Sequence, residues 1–318
     1  MKFLVILICL IINYLWLKDF DRFDDSWFFR FRCQMADLST KISGHPSARW
    51  VLGAGFTYLI PLFALGIILY LMAGQFYGLP TMLVHILVLL VAFDRIQPGK
   101  LAREFLEKWK AGDIEACMLY LKQELAMPED LKIDDEEALS DYFSKQLVYR
   151  SFEKMFVMFF WYIFSGPIGI LFCYISYQLR DLQIESTARR QADEREYGQQ
   201  EAEIKLTTNV IWLLEWVPMR LLAITFSLTG NFVHCFENLK KSFWSARAEI
   251  SSADLLYGYA SCALFGMVDP DMPEADEEAN PKTRERLQRV IRIQALLALL
   301  ERSQAVWLIL LAMFTVYA

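Results

Sequence analysis

Long apolar runs alternate with strongly charged stretches along this chain, and several of the runs are long enough to enter a bilayer. The clearest is Val51 to Ala73, about twenty apolar residues without a charge, enough for a hydrocarbon core of roughly 30 Å. The short uncharged turn Gly74-Gln75-Phe76-Tyr77-Gly78 follows it, and Leu79 to Phe93 returns, which predicts a hairpin of two spans. Met155 to Leu179 is a further candidate, interrupted by Ser165-Gly166-Pro167-Ile168-Gly169. Thr207 to Gly230 is another, and Ala305 to Ala318 closes the chain. The opening run MKFLVILICLIINYLWL is a Lys followed by apolar residues, as in a signal peptide. Trp16, Leu17, Lys18 and Asp19 offer no small-x-small cleavage site, so a short retained first span is expected.

Between these runs the pattern is helical. Asp113 is placed to cap a helix over Ile114 to Ala126 that Pro128 stops. The acids Asp134-Asp135-Glu136-Glu137 open a helix running towards Phe152, where they favour the positive end of its dipole. Arg189 to Lys205 is charged and poor in apolar residues, a solvated helix or a mobile loop. Asp269 to Pro281 carries six acids and three prolines, an acidic linker. From Lys282 onward Leu287, Val290, Ile291, Ile293 and Leu297 recur at helical spacing, predicting one long helix, amphipathic first and membrane-inserted last. No strand pattern and no internal repeat is visible. The fold class expected is all-α: a polytopic membrane protein with four to six membrane-entering helices, some broken or re-entrant, and cytoplasmic helical regions. Its divisions are 1–93 (first spans, with a cytoplasmic loop 18–50), 94–154 (cytoplasmic helices), 155–230 (interrupted membrane segments with a polar centre), 231–303 (cytoplasmic helices with the linker 269–281) and 304–318 (final span).

Basic residues orient the spans. Lys18 to Arg49 holds six and Arg95 to Lys154 holds ten, whereas the hairpin tip at 74–78 has none. Both loops are therefore expected in the cytoplasm and the hairpin tip outside. A full crossing by 155–179 would put the Arg-rich stretch Arg180 to Lys205 on the wrong side. Re-entry or a helix broken at Gly166-Pro167 resolves that conflict, since non-helical backbone at membrane depth needs protein or water to satisfy it.

Composition sharpens the class. The 318 residues are 55% hydrophobic, with 24 Phe, 9 Trp and 14 Tyr, too apolar for an ordinary soluble protein. With 22% charged residues, much of the chain still lies in water. A net charge of −6 supplies no basic stripe for nucleic acid. Cys9, Cys33, Cys117, Cys173, Cys235 and Cys262 are scattered without a C-x-x-C pair, so neither a disulfide framework nor a zinc site is indicated. His45, His85 and His234 are equally dispersed, and no metal or cofactor is called for. The chain has no G-x-x-x-x-G-K-[ST], G-x-G-x-x-G or G-x-S-x-G.

The candidate chemistry lies inside Thr207 to Gly230, where Glu215, Trp216, Pro218 and Arg220 occupy the centre of a span. Intramembrane charges face a protein interior or a wet cavity and mark function by default. Glu215 and Arg220 stand about 140° apart on an ideal helix, so the kink expected at Pro218 matters to their relation. One reading has Arg220 holding an anionic ligand with Glu215 as partner; the others are a structural ion pair or charges snorkelling to the headgroups. Gly166 and Gly169 either free backbone for a ligand or form a packing notch. His45, in Ser43-Gly44-His45-Pro46, is a weaker site candidate than a surface loop histidine. Arg180 to Arg195 is interleaved with acids, which weakens any preference for anionic lipid.

Phe160-Trp161, the 165–169 break and Glu215-Trp216-Val217-Pro218-Met219-Arg220-Leu221 resemble the AmpE family of bacterial inner-membrane proteins, and His45-Pro46 matches an element of its wider superfamily. The resemblance runs in order from residue 45 to 220; its last motif is fairly specific, and His-Pro alone is weak. It implies membership of the wider CobD/CbiB-like superfamily of membrane enzymes that join aminopropanol to cobyric acid. It further implies a regulatory or sensory role in β-lactamase induction and peptidoglycan recycling. The partners implied are membrane lipids, a cell-wall-derived or lipid-linked anionic ligand and a cytosolic amidase of the same pathway. The sequence departs from the cobamide enzymes at Tyr149 to Val157, YRSFEKMFV, where they carry an acid-amide cluster. A membrane enzyme acting on a polar or lipid-linked substrate remains the alternative.

Overall fold

The computed structural model describes residues 2–16, 26–42, 46–74, 78–92, 98–125, 127, 135–189, 197–242, 251–265 and 281–317. His45, the acidic stretch 269–280 and residues 190–196 of the charged stretch Arg189 to Lys205 lie outside the described residues. Among those described, every regular element is a helix and none is a strand. In order they are α1 (Lys2–Trp16), α2 (Ser26–Ile42), α3 (Pro46–Met72), α4 (Leu79–Ala92), α5 (Pro98–Ala111), α6 (Ile114–Glu124) and α7 (Glu136–Ser151). A π-helical turn (Phe152–Val157) follows, then α8 (Met158–Arg189), α9 (Tyr197–Thr229), α10 (Phe232–Ser242), α11 (Ser252–Leu264) and α12 (Pro281–Tyr317). Four stretches are long and apolar enough to cross a membrane: Leu52–Met72, Ile204–Thr229, and parts of Glu136–Gln183 and Arg284–Met313; Lys2–Ile12 and Leu79–Ala92 are shorter apolar helices. The protein is a polytopic, all-α membrane protein. Lipid-facing surface is plain on α3, whose Phe63 is 73% exposed.

The chain forms two compact units, Met1–Arg95 with Val157–Glu215, and Ile96–Phe156 with Trp216–Ala318. In the first, α1 packs on α4 with the Cys9 thiol 3.8 Å from the Ile86 carbonyl. There α3 meets α8 through Tyr58, whose hydroxyl bonds Ser176 at 3.2 Å and whose ring lies 5.1 Å from Phe172.

The second unit has a hydrophobic core of its own. Leu101, Phe105, Trp109, Leu121, Phe143 and Ile293 are among its buried members. Local signals set its boundaries. The Asp113 carboxylate accepts from the Ala116 amide at 2.9 Å and starts α6. Asp135 caps α7 by accepting from Glu137 at 3.3 Å. The acids expected to serve the α7 dipole have partners on α12 as well. Arg286 forks onto Glu136 at 2.8 and 2.6 Å, Arg289 reaches Glu137 at 3.3 Å, and Arg292 reaches Asp141 at 3.6 Å. These arginines recur every third residue, so successive side chains share one face of α12.

The cysteines are free thiols. Burial beside the Asp113 carboxylate pushes Cys117 up to about 11 from an ordinary 9.0. Between those values the unfolded chain releases this proton and the folded chain keeps it, so the group's contribution to stability falls as pH rises through the window. At pH ~8 the folded protein is expected to leave Cys117 unmodified by a disulfide reagent while exposed Cys33 reacts. Mass mapping of the labelled peptides checks this, and Cys117 should react only after unfolding.

Candidate functional site

The polar centre read from the sequence stands on α9, a helix of 33 residues with Pro218 inside it. Proline has no N–H, so the carbonyl four residues earlier, that of Leu214, loses its helical donor. Within hydrocarbon such a group needs a replacement. The Trp161 indole supplies it, donating to the Leu214 oxygen at 3.1 Å. The Phe-Trp pair of α8 and the proline of α9 are therefore parts of one hydrogen-bond solution.

Trp161→Phe is expected to cost about 1–2 kcal/mol by removing that donor. Pro218→Ala restores a helix N–H within reach of the same carbonyl, so the double variant should recover most of the loss. Thermal unfolding in detergent of the two single variants and the double variant tests the coupling. Simple additivity would show that the Leu214 carbonyl does not link the two residues.

Glu215 follows at once and is 1% exposed. It accepts a hydrogen bond from the Tyr177 hydroxyl of α8 at 3.0 Å. The Tyr177 ring carries the Arg180 guanidinium 5.0 Å from its centroid, and Arg180 pairs with Asp181 at 2.8 Å. A cation over a phenol ring is attracted by the electron-rich face and makes the hydroxyl a better donor. About two helical turns further along, buried Gln183 donates to buried Thr207 at 3.1 Å. Tyr177, Gln183, Thr207 and Glu215 thus form a polar seam between α8 and α9 in apolar surroundings. The arrangement can hold a carboxyl group at membrane depth, present it to a hydrogen-bonding ligand, or pass a proton along it.

Arg220 is half-buried, donates to the Trp216 carbonyl at 2.9 Å, and stacks its guanidinium 4.0 Å over the Trp216 ring. Trp216 and Arg220 are one helical turn apart, so this pairing is local to α9.

The glycine break expected in α8 is present. Gly166 takes φ 64° and ψ −149°, outside the helical region and open to glycine without strain. The consequence reaches Gly169, where an added Cβ would sit 2.8 Å from the Trp161 carbonyl. Eight residues of uninterrupted helix would separate those positions by about 12 Å. The chain is therefore drawn back on itself across the break. Gly169 is required by close approach and Gly166 by its backbone angle.

Three further residues escaped the sequence reading. Tyr177 carries no local mark of being Glu215's partner. His85, read as isolated, pairs with Tyr162 at 3.0 Å. Glu153 lies in the YRSFEKMFV stretch noted for its missing acid-amide cluster, yet it is 0% exposed on the π-helical turn. Arg150 and Lys154 approach it at 3.7 and 3.8 Å. Single π turns are frequent at functional sites because they re-aim one side chain within a helix. A buried-face acid inside an apolar run was the signal available for it.

A family model for the regulatory signalling modulator protein AmpE matches residues 45–258, which take in all of these side chains. Searches of curated proteins and of solved structures gave no match.

Proposed function

The chain belongs to the AmpE family of regulatory signalling modulators, and from that premise we propose that it is an inner-membrane sensor linked to peptidoglycan recycling and β-lactamase induction. Its main loops face the cytoplasm in this reading. The signal is an anionic cell-wall-derived or lipid-linked molecule, and its output passes to a cytosolic partner such as an amidase of the same pathway. The observation that carries the reading is Glu215, a buried carboxyl group in mid-span that accepts a hydrogen bond from the Tyr177 hydroxyl. Such groups are costly in hydrocarbon and are kept where function needs them. Arg220 supplies the positive charge that an anionic signal would require.

A second reading is favoured by Glu153. An acid buried on a π turn, between Arg150 and Lys154, stands in the stretch where the CobD/CbiB-like cobamide enzymes carry their acid-amide cluster. On that reading the chain shares their superfamily and acts chemically on a polar or lipid-linked substrate.

The test is to purify the full chain in nanodiscs and search by native mass spectrometry for a co-purified anionic molecule. β-Lactamase induction is then compared in strains carrying Glu215→Gln and Arg220→Ala at matched protein levels. The sensor reading expects a bound molecule lost on Arg220→Ala and altered induction in both strains. A bound molecule that is converted on incubation, with conversion lost on Glu153→Gln, supports the enzyme. Unaltered induction in both strains, with nothing bound, overturns the sensor.

A further inference from the structure

Beyond the polar centre, the most informative surface is α10. We propose that α10 is an in-plane interfacial helix that seats Phe232 and Phe236 in the headgroup–acyl boundary of the bilayer. Two independent features fix the level of that boundary. First, α9 and α12 run antiparallel, with the Trp307 indole donating to Thr225 at 3.0 Å and the Thr229 and Ser303 hydroxyls 3.4 Å apart. On α12 the charged Glu301 and Arg302 are exposed just before Ser303, whereas Ile309, Leu310 and Met313 are exposed just after Trp307. The change from water-facing to lipid-facing side chains therefore falls near Ser303. Second, the apolar span of α9 ends at Thr229, opposite Ser303, with exposed Leu228 beside it. At this level the apolar span of α9 ends, and α10 starts three residues later.

The turn into α10 is pinned there. A Cβ on Gly230 would lie 2.5 Å from the Ala263 carbonyl, so only glycine passes. The Asn231 amide donates to that same carbonyl at 2.7 Å, and its side-chain amide donates to the Phe265 carbonyl at 3.0 Å. Cys235 and Leu239, one turn apart, are buried, and the Cys235 thiol reaches the Tyr259 carbonyl of α11 at 3.6 Å. With one edge of α10 fixed on α11, the next edge around the helix presents Phe232 and Phe236. Their rings stack at 5.3 Å and remain 52% and 47% exposed. Glu237 and Lys240 are exposed on the arc beyond them. An apolar edge beside a charged arc, at the end of a span, is the pattern of a helix lying in the membrane surface. Lipid is favoured as the occupant because the apolar edge continues the lipid-facing surface of Leu228 at the same level. The inference is independent of the sensor reading.

The test uses the full chain in nanodiscs of phosphatidylethanolamine and phosphatidylglycerol. Spin labels are placed by Phe232→Cys, Phe236→Cys, Glu237→Cys and Lys240→Cys in a background lacking the reactive Cys33 and Cys262. At 232 and 236 collisions with oxygen should exceed those with a water-soluble nickel chelate, and at 237 and 240 the ratio should invert. Unmodified protein should also acquire adducts within residues 232–239 from a photoactivated lipid, which keeps the test valid if a labelled variant misfolds. Equal access of the nickel chelate at all four sites would overturn the proposal. So would labels at 232 and 236 that neither reagent reaches and that broaden one another between molecules, since a second copy would then cover the face.

Discussion

Phe143→Ala is expected to lower the stability of the helical core by about 3–5 kcal/mol, the largest effect of any single substitution considered. The side chain is fully buried, and its ring lies 3.8 Å from Phe105 with 5° between the planes. Deleting it removes the apolar area of the ring and leaves a void bordered by α5 and α7, which close packing cannot refill. Phe143→Leu should cost less, because a branched aliphatic chain fills more of that volume. A folded unit has a net stability of only about 5–15 kcal/mol, so the alanine variant should show a large fall in unfolding midpoint and in protein yield. The readout is fluorescence-monitored thermal unfolding in detergent, where buried Trp109, bonded to the Arg286 carbonyl at 3.3 Å, reports on this core. An alanine variant within about 1 kcal/mol of the parent would mean the site collapses freely.

Removing the carboxyl group at 215 comes second. Glu215→Ala is expected to cost about 2–4 kcal/mol, because it removes the carboxylate that accepts from the Tyr177 hydroxyl and opens a cavity. Glu215→Gln keeps an acceptor and should cost about 1 kcal/mol. The informative variant is the pair Glu215→Leu with Tyr177→Phe. Replacing both partners of a buried hydrogen bond by apolar groups is often nearly neutral, whereas replacing one leaves an unsatisfied group. The double variant should therefore be more stable than Glu215→Leu alone, as measured by unfolding in nanodiscs. If the proposed sensor function holds, restored stability with lost induction would assign the carboxyl a functional duty. A double variant that is both stable and fully inducing would leave Glu215 only a structural one.

Several elements were legible because their causes are local. Val51 to Ala73 is apolar enough to require a lipid or protein environment wherever it is placed, and the helix follows from backbone satisfaction. Asp113 caps α6 through an amide three residues away, so its role needs no partner from elsewhere. Gly166-Pro167 foretold a break because neither residue sustains a regular helix, and the break is there. The charges of Glu215 and Arg220 drew notice for the same reason: their cost depends on the residues flanking them.

What the sequence determined by itself, then, is an all-helical membrane chain whose spans, caps and helix interruption follow from hydropathy and backbone chemistry within a few residues. Only the tertiary structure decided that Tyr177 serves Glu215, that Trp161 serves the carbonyl Pro218 leaves open, and that Arg286 serves Glu136. Those pairings join residues separated by 38, 53 and 150 positions. Side-chain type reveals a need for a partner, but the partner's identity depends on how distant helices pack, and no local pattern encodes that.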